Sequence, residues 1–291
     1  MSSPLWDLMQ LVDESGDIAF DFVASEPDAV VTDFDPGFPD PRAVTNDRAN
    51  ANGAINTTQF HSSRGITMTV SLDPAKPEQS LSWQKRLLEL CMPERRPWLY
   101  LRTSNDETVW RTQLVGAAVS AAFQVVLAPQ LSWVAPDGLW EATEESDWTI
   151  FPGGATGTGW VLPAAFPINF GSGSPAGSVT VRVAGTRPTP PKVRIFGPVT
   201  APGITNTATG DTITFVAGFT IPAGGYVSID MVNGTILAND DPALTRMNSV
   251  NWTISDFWSL LPGDNQISFT GTGLSAVTQA EISWRERAAS T

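Results

Sequence analysis

The second half of the chain alternates apolar and polar residues over a series of short runs. Alternation with a period of two predicts strands that bury one face, whereas a helix repeats its apolar positions about every three to four residues. Turn-forming residues separate the runs, which is typical of short antiparallel strands. The pattern therefore predicts an antiparallel β-sandwich. Its apolar positions are Val179, Val181, Val183, Val193, Ile195, Ile213, Phe215, Val227, Ile229, Met231, Ile267, Phe269, Ala280, Ile282 and Trp284.

The first half is predicted to contain strands and one helix. Residues 78–92 have a helical pattern, with Leu81, Leu88 and Cys91 on one apolar face. A proline follows directly and favours the end of the helix there. The fold class predicted for the whole chain is therefore mainly β, with one helix in the first half. The strands predicted in that half are 18–23, 29–32, 65–72, 98–103, 108–117, 119–127 and 133–135.

Loops and linkers are marked by glycine, proline and asparagine. The prolines of segment 33–41 exclude a central strand or a helix, and Asn52-Gly53 indicates a tight turn. The glycine-rich segment 152–159 is typical of a flexible connection. We therefore expect two domains joined by a linker, with bounds of 1–150 for the first domain, 151–160 for the linker and 161–291 for the second domain.

The charge of the chain excludes several classes of partner. Its 30 acidic and 17 basic residues give a net charge of -13. Such a chain offers no basic surface for sequence-specific nucleic-acid binding or for anionic lipid. The sequence contains no apolar run of about 18 residues and no basic, apolar leader, so we expect no membrane insertion and no signal peptide. Synthesis in a cytoplasm is the expectation.

Residues for catalysis are scarce. A Ser-His-Asp triad has to use His61, the one histidine, and a Cys-His pair has to use Cys91, the one cysteine. Acidic clusters at 33–40 and 239–241 lack the spacing of an EF-hand. A carboxylate pair for glycoside hydrolysis is not marked by any pattern. The sequence predicts no enzyme activity, no cofactor and no metal site.

Turn chemistry singles out a set of structural residues in the second half. Asn, Asp and Gly favour turns because they tolerate left-handed backbone or bond to nearby N–H groups. A carboxylate at the end of a strand can accept such N–H groups, and we assign this role to Asp230. Pro-Gly before the strand at 267 predicts another turn. The remaining turn residues of the set are Asn206, Gly210, Asn233, Gly234, Pro262, Gly263 and Asn265.

The aromatic residues of the second half have two interpretations. Aromatic side chains fill cores, but exposed rings on a sandwich can stack on sugars. We expect Trp258 and Trp284 to be core anchors. Trp252 and Phe257 are the candidate contacts for a glycan. Exposure of the rings distinguishes the two interpretations.

The order and spacing of several segments resemble a known family. These segments read, among others, Lys192-Val193-Arg194-Ile195-Phe196-Gly197-Pro198 and Trp258-Ser259-Leu260-Leu261-Pro262-Gly263-Asp264-Asn265. Together they resemble the galectin-like C-terminal domain of siphophage distal tail (Dit-like) proteins, and 184–186 departs from that pattern. The first half is similar, more loosely, to the ring-forming domain of the same family. The further matching segments are 166–170, 202–206, 210–215, 226–230, 233–234 and 281–285.

The resemblance implies a structural role in a phage tail tip. It implies a homo-hexameric ring that joins the tail tube to the baseplate or tip and leaves a channel for DNA. The implied neighbours are the tail tube protein, the tape-measure protein and the tail-tip or baseplate hub proteins, and the implied location is the virion. The alternative is a carbohydrate-binding adhesin that contacts the host surface. A cell-wall hydrolase ranks last, because the sequence marks no carboxylate pair.

Overall fold

A computed structural model describes residues 6–24, 29–47, 54–73, 75–120, 128–151 and 176–290. These residues are mainly β, with a single α-helix among them, which confirms the predicted fold class. No helix in these ranges is long and apolar enough to cross a membrane. The first elements are β1 (Trp6–Val12), β2 (Ile18–Asp21), β3 (Ala29–Asp35), β4 (Pro41–Asp47), β5 (Ala54–His61), β6 (Arg64–Leu72), α1 (Pro77–Leu90), β7 (Trp98–Thr103), β8 (Trp110–Gln113), β9 (Val115–Ser120), β10 (Gln130–Ala135) and β11 (Trp140–Ala142).

The later elements are strands and one short 3-10 helix at Met247–Ser249. Turns lie at 207–209 and 231–234, as predicted, whereas residues 263–265 of another predicted turn belong to a strand. The strands are β12 (Ser146–Ile150), β13 (Ala176–Val183), β14 (Lys192–Phe196), β15 (Val199–Asn206), β16 (Thr212–Thr214), β17 (Thr220–Ile221), β18 (Tyr226–Asp230), β19 (Thr235–Ala238), β20 (Gly263–Thr272), β21 (Gln279–Trp284) and β22 (Arg287–Ala288).

The chain divides into two compact units. The first unit holds residues 1–144 and 287–291, and the second unit holds residues 145–286. A boundary at 150 places β12 in the first domain, whereas β12 pairs with β21 along its whole length and so lies in the second unit. Local sequence pattern does not show this pairing, because β21 is distant along the chain. The predicted linker 151–160 lies outside the described residues except for its first residue.

The second unit is a sandwich of two antiparallel sheets. One sheet has the order β12-β21-β14-β18-β19, and the other has the order β13-β20-β15-β16 with β17 beside β15. Val193 and Ile229 of the first sheet share one core with Ile204 and Phe269 of the second, and all four are fully buried. Each buried side chain of this size stabilises the fold by about 1.5–3 kcal/mol relative to exposure. Val193, Ile229 and Phe269 belong to the alternating apolar set that the sequence predicts, whereas Ile204 is a core residue outside that set.

The described residues of the first unit form three sheets and the helix. A six-stranded sheet has the order β2-β1-β7-β8-β11-β22, and a four-stranded sheet has the order β3-β6-β10-β9. Met9 and Leu99 of the six-stranded sheet share a core with Ile66 and Trp133 of the four-stranded sheet, and Leu87 of α1 joins them. The third sheet is a two-stranded ribbon of β4 and β5.

The predicted apolar face of the helix is correct at Cys91, which is buried, and wrong at Leu81, which is exposed. Helix α1 buries Ser80, Gln84, Leu87 and Leu90, whereas 40% of Leu81 is exposed. The hydroxyl of Ser80 donates a hydrogen bond to the carbonyl oxygen of Asp73 at 2.8 Å, so this polar side chain is satisfied inside. The helix can therefore turn a polar residue inward and leave the leucine outside.

Strands β3 and β4 extend into the proline-rich segment 33–41, which the sequence assigns to a loop. Strand β3 continues to Asp35, inside the proline-rich segment, and it lies at a sheet edge where such a sequence is tolerated. Strand β4 begins at Pro41, and the first position of a strand is one of the few that accept proline. A break at Leu114 divides the predicted strand 108–117 into β8 and β9. Residues 121–127 and Asn52-Gly53 lie outside the described residues.

Candidate functional site

The two residues that a nucleophilic site would need lie in different settings. His61 is exposed at the end of β5. Cys91 follows α1 and is only 7% exposed, and burial raises the pKa of its thiol to about 12. A thiol with this pKa is almost entirely protonated at neutral pH and is a poor nucleophile. Among the described residues, no group of His, Cys, Asp and Glu side chains is arranged to hold a metal ion.

Two of the predicted turn residues meet inside the sandwich. The Nδ2 of Asn206 donates to the Oδ1 of Asn265 at 3.2 Å, and both residues are fully buried. Asn265 also accepts the N–H of Leu261 at 2.9 Å and donates to the carbonyl oxygens of Leu261 and Gly263 at 2.7 and 3.1 Å. The Oδ1 of Asn206 accepts the N–H of Ala208 at 3.1 Å. The amide pair therefore ties the ends of β15 and β20 to their turns.

Glycines complete these two turns. The N–H of Gly210 donates to the carbonyl oxygen of Asn206 at 2.8 Å, and its φ is +84°. Gly263 follows the exposed Pro262 with a φ of +93°. L-residues with a Cβ rarely adopt this left-handed backbone, so glycine is the residue that fits. The two glycines therefore allow the backbone to change direction beside the asparagine pair.

Asp230 ends β18 and organises the turn that follows. Its Oδ1 accepts the N–H groups of Val232 and Asn233 at 2.9 and 3.0 Å, and its Oδ2 accepts the Nδ2 of Asn233 at 2.9 Å. The Nζ of Lys192 lies 3.4 Å from the same Oδ2. Burial favours the neutral carboxyl, but these bonds and the lysine charge outweigh it and hold the pKa of Asp230 below its usual value. Asp230 is therefore ionised at neutral pH.

Trp258 and Trp284 are buried in the sandwich core. They are 5% and 6% exposed, respectively. The Nε1 of Trp284 donates to the Oε1 of Glu286 at 3.0 Å, so its polar edge is satisfied where β21 ends. Both rings are therefore positioned for packing, and neither presents a face for stacking on a ligand.

Trp252 and Phe257 form an aromatic pair in which Trp252 is exposed and Phe257 is partly buried against the sandwich core. Their ring centroids are 5.5 Å apart with an interplanar angle of 52°, and 42% of Trp252 is exposed. The Nε1 of Trp252 donates to the carbonyl oxygen of Met247 at 2.8 Å, which fixes the ring. Gly234 has a φ of +63°, and a Cβ there would lie 3.7 Å from the Phe257 ring. The pair therefore rests on the turn that Asp230 organises and offers an aromatic surface to solvent.

The outer face of the β12 sheet forms a polar groove of about 590 Å³. We call it the β12-sheet groove. Hydroxyl groups line part of the groove, and they belong to Thr149, Ser228, Thr235 and Ser283. The charged residues that line it are Glu145, Asp147, Asp230, Asp240, Glu281, Lys192 and Arg194.

Several charges of the β12-sheet groove are paired. The Nη2 of Arg194 lies 3.1 Å from the Oδ2 of Asp240, which also accepts the hydroxyl of Tyr226 at 2.9 Å. A hydrogen bond from Ser228, together with Tyr226 and the charge of Arg194, lowers the pKa of Asp240. A general acid for glycoside hydrolysis needs a raised pKa. The pKa values of Asp240 and Asp230 are both lowered, so neither carboxyl has the raised pKa that this role requires.

The sequence interpretation missed the buried arginine of the first unit. Arg64 is 1% exposed, and its guanidinium lies 5.4 Å from the centre of the Trp140 ring. Its Nε donates to the carbonyl oxygen of Gly138 at 2.9 Å, and its Nη2 donates to that of Ala289 at 2.6 Å. The alternation of β6 carried a signal, because Arg64 shares the inward face with Ile66 two residues later.

Comparisons with known proteins point in one direction. Residues 184–287 match the family described as siphovirus-type tail component, C-terminal domain. The structure is similar to the crystal structure of the SPP1 Dit protein, described as a paradigm of the hub adsorption apparatus in phages that infect Gram-positive bacteria. That similarity has a TM-score of 0.58 at 13% identity and covers 96% of this chain and 98% of the other. It is a similarity of fold.

A second solved structure covers the chain to the same extent. It is a chain from the phage p2 baseplate in its activated conformation with strontium, with a TM-score of 0.48 at 12% identity. The match covers 96% of this chain and 97% of that chain. A search of curated protein sequences finds no match.

Proposed function

We propose, from the membership of residues 184–287 in the siphovirus-type tail component family, that this protein is a structural component of the tail tip of a long-tailed phage. The family match is the observation that carries the proposal. The fold supports it, because a distal tail protein of another phage has the same fold over nearly the whole chain. The protein acts by assembly and not by catalysis.

The assembled form we propose is a homo-hexameric ring that joins the tail tube to the baseplate or tip. A closed ring needs two different surfaces on each copy, because each subunit contacts its two neighbours in the same head-to-tail manner. The ribbon of β4 and β5 supports this arrangement. It pairs with no other strand of the described residues, and an isolated two-stranded ribbon is only marginally stable in water.

The ring leaves a channel for DNA and for the tape-measure protein. The net charge of -13 favours passage of DNA without adhesion, because like charges repel. The tail tube protein and the tail-tip or baseplate hub proteins are its neighbours in the virion. The first unit forms the ring, and the second unit is the galectin-like sandwich.

Labelling of virions tests the location directly. Antibodies raised against the purified chain should bind at the tail tip of the phage that encodes it, as seen by electron microscopy with gold particles. A variant phage particle that lacks the protein is the control for the labelling. Gold confined to the capsid, or absent from intact and from disassembled tails, would overturn the proposed function.

A second function, binding of a host glycan, is favoured by one observation. The Trp252 ring is 42% exposed and held in place by its bond to Met247 and its contact with Phe257. A fixed, exposed indole is suited to stacking on the apolar face of a sugar ring. Glycan arrays with the whole chain and with Trp252→Ala test this function. Binding that the substitution abolishes supports it, and the absence of binding by the unaltered protein removes it.

A further inference from the structure

Residues 287–290 leave the second unit and complete the first. We call these residues the strap. Strand β22 lies in the strap and pairs with β11, where Ala288 faces Trp140 and Arg287 faces Glu141. Ala288 is 3% exposed and Ala289 is 7% exposed, and Ala288 belongs to the core of the first unit. The two alanines of the strap are therefore packed in the interior of the first unit.

A buried cation depends on the strap. Arg64 has Gly138 and Ala289 as the carbonyl acceptors of its guanidinium, and only the second lies in the strap. A buried charge that loses an acceptor in an apolar setting loses much of its compensation. The Nη2 of Arg287 also lies 3.1 Å from the Oδ2 of Asp137. Undocking the strap therefore breaks a strand pairing, an ion pair and a bond to a buried guanidinium together.

From these contacts we infer that the strap is a closing device that completes the first unit only after the second unit has been made. The order of synthesis imposes the delay. Residues 1–144 emerge from the ribosome before residues 145–286, and the strap follows both. A chain interrupted anywhere in the second unit consequently leaves the first unit open, with Arg64 short of an acceptor.

The consequence for assembly rests on the proposed function, but the strap itself does not. If the first unit forms the ring, incomplete chains are excluded from it because their first unit is not closed. The test below reads hydrogen exchange in the chain alone. Its failure is therefore distinguishable from failure of the tail-tip proposal, which the labelling of virions decides.

Hydrogen exchange in the full chain and in a chain that ends at Glu286 tests the strap. In the truncated chain, amides of β6 and β11 should exchange about tenfold faster or more, because local opening becomes easier. Amides of β14 and β20 in the second unit should keep their rates. A synthetic peptide with the sequence of residues 285–291 should restore slow exchange. Unchanged rates in β11, or an equal loss of protection in both units, would overturn the inference.

Two substitutions in the full chain keep the test decisive if the truncated chain does not fold. Ala288→Asp places a charge at a buried position of the strap, and Ser290→Asp places the same charge at an exposed one. The first substitution should speed exchange in β6 and β11, and the second should leave it unchanged. Equal exchange in the two variants would show that the strap does not pack as described, and the inference would fail.

Discussion

The side chain of Asn206 donates its Nδ2 to the Oδ1 of Asn265 at 3.2 Å in a fully buried part of the sandwich. Two neutral amides in an apolar core are tolerated because nearly every donor and acceptor has a partner. Asn265 alone bonds to three backbone groups where β20 begins, two of Leu261 and one of Gly263. This pair connects the turn chemistry of the sequence to the packing of the second unit.

Asn265→Ala should destabilise the second unit by about 2–3 kcal/mol, because it removes the partner of the buried Nδ2 of Asn206 and the acceptor of the Leu261 N–H. Chemical denaturation, monitored by hydrogen exchange at the amides of β14 and β20, measures the loss in the free energy of unfolding. Asn248→Ala is the matched control, since Asn248 is exposed in the 3-10 helix and its loss should cost under about 0.5 kcal/mol. Equal effects in the two variants would contradict the role assigned to the buried pair.

Trp284→Ala and Trp252→Ala should have very different effects on stability. Trp284 is 6% exposed and Trp252 is 42% exposed. Removal of the buried ring should cost about 3–5 kcal/mol in the free energy of unfolding of the second unit. Removal of the exposed ring should cost much less. Thermal unfolding of both variants measures the difference, and an unchanged melting temperature for Trp284→Ala would show that its ring is not a core anchor.

Asp230 should make the stability of the second unit dependent on acid pH. Its pKa is lowered in the folded state, so its stabilising contribution is present above the unfolded pKa of about 4 and is lost as pH falls through the lower folded value. At pH 7, Asp230→Asn should cost about 1 kcal/mol, and the difference from the unaltered chain should vanish in strong acid. Urea unfolding over this pH range measures it. Asp211→Asn, at an exposed position, is the control and should cost under about 0.5 kcal/mol at pH 7.

Cys91 should react slowly with thiol reagents in the folded protein. Burial raises the pKa of its thiol to about 12, so the thiolate fraction at pH 8 is on the order of one in ten thousand, against a quarter or so for an ordinary cysteine. Absorbance after addition of a disulfide reagent measures the rate. The same protein in denaturant is the control and should react at once. Rapid reaction of the folded chain would place Cys91 at the surface.

The strands of the sandwich could be predicted because their alternation is local. The alternation of Val193 and Ile195 predicts a strand there, and both side chains are buried in β14. Strand β12 could not be assigned to the second unit, because its partner β21 is more than a hundred residues away along the chain. Helix α1 was placed correctly, but its buried face depends on the bond that Ser80 makes with Asp73. Such tertiary partners override the apolar pattern of a single helix.

The candidate sites divide in the same way. Turn residues such as Gly210 and Gly263 could be predicted, because a left-handed backbone favours glycine wherever it occurs. The meeting of Asn206 with Asn265 could not, because it joins positions on different strands. The β12-sheet groove was also missed, since its charges come from four different strands and from Glu145 and Asp240, which lie just outside strands. Each appears in the sequence as an ordinary solvent-facing position.

We propose above all that copies of this chain close into a ring. Native mass spectrometry of the purified protein at rising concentration, with negative-stain images of the same samples, tests it most directly. We expect a species of six subunits, and we expect its class averages to show a closed ring with an open centre. A monomer at every concentration, or chains of subunits that never close, would contradict it.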